Sequence, residues 1–182
     1  MVKKVLILGV LSLIILGCSG VQWGPKRAQQ DVGSPPVVVD HYAAQVLRVG
    51  DNWRIFLRGR DDDGDMKYIA AELYQAGVGY YRVNIIFLEG PDQEEFAGYL
   101  VLPFPVDYSF FDDRFDMRIL LRDQKDNRSE ALTLPLRIGH WTYEELPDQW
   151  EEVADHRLGI IILNLESSQF YNRGGNDSRP DH

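Results

Sequence analysis

The sequence predicts an all-β sandwich of seven antiparallel strands, followed by a short helix and one extra strand. Two patterns and one bound lead there. Apolar and polar residues alternate with a period of two in one short segment after another, the mark of strands with one face buried and one face in water. Gly, Pro and Asp clusters separate these segments at a spacing of roughly ten residues, as in sandwich folds. The chain of 182 residues is large enough for one domain with a real core, and past residue 17 it has no apolar run long enough to span a membrane.

The amino terminus reads as an address. Lys3 and Lys4 precede the apolar run Val5 to Leu16, which is short for a spanning helix and has the layout of a secretory signal. The run ends in Ile15, Leu16, Gly17 and Cys18, and that ending resembles a bacterial lipobox, with Leu16 bulkier than usual. The resemblance implies a signal peptide over residues 1–17 and a lipid on Cys18, the one cysteine of the chain. An acylated Cys18 leaves the mature chain without a thiol, so the exported fold must stand on packing alone. Ser19, rather than Asp, favours the outer membrane over the inner one. Residues 18–36 carry Gly, Pro and polar residues without periodicity and read as a tether, able to reach about 60 Å when extended. The expected location is the bacterial cell envelope, with the lipid as the membrane contact.

Charge narrows the partners. The chain has 19 Lys and Arg against 28 Asp and Glu, a net charge of −9; loss of residues 1–17 removes Lys3 and Lys4 and no acid, which gives −11. Such a surface repels phosphate, and nucleic acid is excluded as a partner. Another envelope protein or a glycan is the expected one.

The strands follow in order. Pro35 and Pro36 introduce Val37 to Val39, and Gln45 to Val49 continues them as one interrupted first strand. Trp53, Ile55 and Leu57 alternate with Arg54, Phe56 and Arg58 in the second. Asp61, Asp62, Asp63, Gly64 and Asp65 then form a turn, since Gly takes a positive φ cheaply and Asp side chains bond nearby amides. Ile69, Ala71 and Leu73 resume the alternation, so that residues 54–73 read as a hairpin. Tyr81 to Phe87 is the fourth strand, Phe96 to Leu102 the fifth, Phe115 to Leu121 the sixth and Leu132 to Ile138 the seventh, where Pro135 suits an edge.

Asp123, Gln124, Lys125, Asp126, Asn127, Arg128 and Ser129 before the last strand resemble the "D-x-x-G-N-x-S" ending of bacterial immunoglobulin-like and fibronectin-type-III-like domains. Asp63, Gly64 and Asp65 resemble their "D-P-D-G-D" turn. Asp126 stands where the glycine usually sits, and Asp62 where the proline does. The resemblance implies an immunoglobulin-like sandwich over residues 37–139 and no particular activity, because the fold hosts adhesion, spacing and ligand binding alike.

Residues 140–171 are expected to pack on that sandwich or extend it. Thr142 and Glu145 have capping-box spacing, Pro147 suits a first helical position, and Gly159 would end a helix over about 147–156. Ile160 to Leu165 then reads as a strand. The rival reading is one continuous helix, since Trp150, Val153, Ala154, Leu158, Ile161, Ile162 and Leu165 also fit a 3.6-residue period. The segment would cover an open sheet edge, or pair with another protein's strand. Residues 172–182 read as a polar, disordered tail.

In immunoglobulin order the loops after the second, fourth and sixth strands share one end of the sandwich, and here all three are acidic. Clustered carboxylates are tolerated when a hard cation joins them. Asp61, Asp63 and Asp65, completed by Asp123, Asp126 or Asn127, are therefore a candidate Ca2+ site, though their spacing is not that of an EF-hand. Tyr80, Tyr81, Tyr108, Phe110, Phe111, Trp141 and Tyr143 lie at strand ends and in loops, where they could stack on a sugar or a peptide. His41, His140, His156 and His182 share no metal-ligand spacing, and no nucleophile motif is present. The expected role is a non-catalytic binding or structural module. A carbohydrate or peptide binder, and a hydrolase using an unidentified carboxylate pair, are the alternatives.

Overall fold

A computed structural model describes residues 33–140 and 145–166. Cys18, the signal segment, most of the tether, Trp141, Thr142, Tyr143 and the tail lie outside the described residues. Ten strands follow in chain order: β1 (Val37–Ala43), β2 (Val46–Leu47), β3 (Asn52–Arg60), β4 (Met66–Gln75), β5 (Gly79–Tyr80), β6 (Asn84–Phe87), β7 (Glu95–Pro103), β8 (Arg114–Asp123), β9 (Leu132–Ile138) and β10 (Arg157–Ile160). They form two mixed sheets. The first has the order β1-β3-β7-β10; the second has the order β2-β9-β8-β4-β5, with β6 also paired to β4. The architecture is all-β and resembles an immunoglobulin-like sandwich.

The alternating rows become the core. Trp53, Ile55 and Leu57 of β3 and Leu100 and Leu102 of β7 face Ile69 and Leu73 of β4 and Met117, Ile119 and Leu121 of β8, all of them fully buried. Each such side chain contributes roughly 1.5–3 kcal/mol of transfer free energy.

Several expectations are corrected. Residues 54–73 are not a hairpin, because β3 and β4 lie in opposite sheets and the acidic turn carries the chain from one layer to the other. The interrupted first strand is two strands, β1 pairing with β3 and β2 with β9. The fourth strand is split as well. The Tyr81 amide, donating to the Leu73 carbonyl at 2.8 Å, still follows the register of β5 on β4, and the register has shifted where β6 begins with Asn84 opposite Ala71. Nor is the pairing wholly antiparallel, since β2 runs parallel to β9 and β10 parallel to β7.

The carboxyl-terminal segment is neither a continuous helix nor a helix capped by Gly159. Asp148–Val153 is a 3-10 helix with Pro147 as its amino cap and Ala154 as its carboxyl cap, and Gly159 lies within β10. The extra strand therefore starts earlier than expected. The segment acts as a strap. Trp150, fully buried, sets its ring 5.7 Å from Phe56 on the outer face of β3, with the Arg58 guanidinium 5.1 Å from the indole centroid. At the edge of β7, Tyr99 donates to the His156 carbonyl at 2.9 Å and Ile161 donates to the Val101 carbonyl at 2.8 Å. The chain then crosses to the second sheet, where the Ile162 amide meets Asn84 Oδ1 at 3.0 Å and the Glu166 amide meets the Tyr81 hydroxyl at 3.2 Å.

Candidate metal centre

The three acidic loops converge. The Asp61 amide donates to the Glu94 carbonyl at 2.8 Å, and the Gln124 amide donates to the Asp65 carbonyl at 3.0 Å. Gln93 Nε2 reaches the Met66 carbonyl at 3.1 Å. The turn after β3 is thus held between the turns after β6 and β8. Within it, the Gly64 amide closes on the Asp61 carbonyl at 3.1 Å, and Gly64 takes φ +69°, a conformation that costs glycine little.

Asp61 follows the last residue of β3 and is 1% exposed. Its Oδ1 accepts the Asp63 amide at 3.0 Å, whereas its Oδ2 is buried without a donor, as is Asp65 Oδ1. One oxygen each from Asp61, Asp63 and Asp65 lie within 4.8 Å of one another. Two ligands of a single Ca2+ sit at most about 5 Å apart, so this surface cluster can coordinate a divalent cation such as Ca2+. Burial chiefly, and then the Asp65 and Asp123 carboxylates, push the Asp61 carboxyl above its ordinary value of 3.8, although the Asp63 amide opposes them. Asp63 moves the other way. The Ser34 amide, 2.7 Å from Asp63 Oδ2, is the main cause, and Lys125 adds to it.

Lys125 was not singled out as a site residue by its sequence. Its Nζ lies 3.4 Å from Asp63 Oδ2 and 3.7 Å from Asp65 Oδ2, so the cluster already faces one cation. The one hint in the sequence is a lysine set among the acids of the loop after β8.

The other expected ligands do not join this group. Asp123 is fully buried behind the cluster, and its two oxygens accept the Asn127 amide at 2.8 Å and Asn127 Nδ2 at 2.7 Å. Those bonds shape the turn into β9 and occupy both side chains. Asp126 turns to Arg122, 3.0 Å away.

The aromatic residues gather at the opposite end. β4 runs from the acidic end to Gln75, beside Phe115 at the start of β8. Tyr80, 72% exposed, packs at a tilt against Tyr74 with ring centroids 5.0 Å apart, and Tyr108 is 79% exposed. Phe110 is 3% exposed in the core and offers a ligand no surface. Tyr81 is half-buried, its hydroxyl bonded to Gln75 Oε1 and to the Glu166 backbone. Phe111 packs on His140, ring centroids 4.9 Å apart.

No protein-family model matches the sequence, and no curated protein matches it. Several solved structures are similar. The PKD domain of an M14-like peptidase from a Thermoplasmatales archaeon is 16% identical, over 59% of this chain and 99% of that one, with a TM-score of 0.40. The CARDB domain of a Pyrococcus furiosus protein, in complex with di-metal ions, is 11% identical over 59% and 93%, with a TM-score of 0.33. A Streptococcus sanguinis adhesin is 15% identical over 58% of this chain and 55% of its own, with a TM-score of 0.39. Identities and TM-scores are low in all three, and no property of these proteins is carried over to this chain.

Proposed function

We propose that the chain is a lipid-anchored protein of the bacterial envelope whose sandwich serves as a non-catalytic binding or structural module. The observation that carries this reading is Cys18, the one cysteine in 182 residues, standing at the end of an apolar run that follows two lysines. Residues 1–17 would be removed, residues 18–36 would tether the domain, and Ser19 leans towards the outer membrane. Another envelope protein or a glycan is the partner that an acidic exported surface admits. A second reading, recognition of a sugar or peptide by stacking, draws on the exposed rings of Tyr80 and Tyr108. The acylation is tested by growing a bacterial host that expresses the full chain on an alkyne analogue of palmitate. Wild type should take up the label and sediment with membranes, and Cys18→Ser should do neither. An unlabelled wild-type chain would sink the anchor.

A further inference from the structure

The acidic turn combines a fixed half and a movable half. Asp61 is the fixed half. It is 1% exposed and held by the Asp63 amide at 3.0 Å, its second oxygen has no donor, and one of its oxygens lies within 4.8 Å of an oxygen of Asp63 and of Asp65. A buried carboxylate oxygen with no donor is costly, and a metal ion is the partner that removes the cost without a proton. Lys125 is the movable half. Its side chain is 35% exposed and its ammonium faces Asp63 and Asp65 from 3.4 and 3.7 Å. A Ca2+ bound 2.3–2.6 Å from those oxygens would repel an ammonium at that distance, and four rotatable bonds let the lysine leave for water.

We propose that the turn is an exchange site, in which Lys125 neutralises the acids until a divalent cation displaces it and binds Asp61, Asp63 and Asp65. This rests on the cluster being a cation site and is independent of acylation at Cys18. Water can complete the 6–8 oxygens that Ca2+ takes. The Ser34 amide can stay on Asp63 Oδ2, since a carboxylate oxygen accepts a second interaction. Lys125 thereby sets the affinity, because its departure is part of every binding event.

The test is calorimetric titration of the full chain in detergent with CaCl2, for wild type, Lys125→Met and Asp61→Asn, with circular dichroism to establish that each is folded. Wild type should bind one Ca2+, Lys125→Met should bind it about tenfold more tightly or better, since a unit charge no longer opposes the ion, and Asp61→Asn should lose it. In parallel, acylation of Lys125 by an N-hydroxysuccinimide ester, followed by mass spectrometry, should speed up when CaCl2 is added. If wild type and Lys125→Met are both silent, there is no cation site. Equal affinity in the two, with an unchanged acylation rate, would leave the cation site standing and overturn the exchange. Full binding by folded Asp61→Asn would overturn the ligand set.

Discussion

Asp61 and Asp63 stand two positions apart in one turn, yet the fold moves their carboxyl groups in opposite directions. Burial raises Asp61, so in the unfolded chain it loses its proton near 3.8 while in the folded chain it still holds it. The stability cost is absent below 3.8, grows as pH rises through the folded value, and is complete above it. Asp63, lowered mainly by the Ser34 amide, contributes stability above 3.8 that is lost as pH falls through its folded value. Asp61→Asn keeps the acceptor for the Asp63 amide and cannot ionise. In EDTA at pH 7 its melting temperature should exceed that of wild type by a few degrees, in line with ~1 kcal/mol for relieving a buried oxygen without a donor. The gain should shrink towards pH 3, as thermal melts across that range would register; a lower melting temperature at pH 7 would show that the ionised carboxylate stabilises the metal-free fold. Asp126 shows how far local reading reaches. Asp126 stands where the turns that this one resembles carry glycine, and it nonetheless takes φ +70°, which Asp tolerates better than most side chains.

Strands were legible one at a time and their neighbours were not. Alternation marks a strand with one buried face wherever its partner lies, so β3, β4, β7, β8 and β9 could be read from period two. A short Asp-Gly turn serves equally to join paired strands or to cross between layers. The choice falls to the cluster of buried side chains from both sheets, which no local window contains. Gly159 misled for a similar reason. It looks like a helix cap, but a Cβ there would sit 2.8 Å from Ile86, so its smallness serves the contact between β10 and β6. Gly98 does the same for the strap, as a Cβ on it would meet the His156 carbonyl at 2.5 Å. Gly98→Ala should therefore lift β10 from β7 while leaving β3 and β7 paired. In hydrogen exchange, the Tyr99 amide, which bonds the His156 carbonyl, should lose protection by about tenfold or more. Unchanged protection would mean that the strap shifts to make room.

At the scale of the whole molecule the strap answers a problem that the nine preceding strands leave open. Without residues 145–166 the edge of β7 has no neighbour among the described residues, the outer ring of Phe56 loses Trp150, and the core loses Ile161 and the cover of Leu158, Leu163 and Leu165. An unpaired apolar edge is a template for another chain. The strap closes it with three contacts of different kinds: an indole on one sheet face, a parallel strand at the edge, and polar bonds across to the second sheet. Removal of the Trp150 ring alone should cost about 3–5 kcal/mol, a large part of the 5–15 kcal/mol typical of such a domain. A chain ending at Gly139 should thus melt well below the full-length protein and self-associate through the bared β7 edge, seen as concentration-dependent mass in light scattering after size exclusion. If the shortened chain stays monomeric with an unchanged melting temperature, the sandwich is complete without the strap, and the strap's fit to that edge must serve something other than stability.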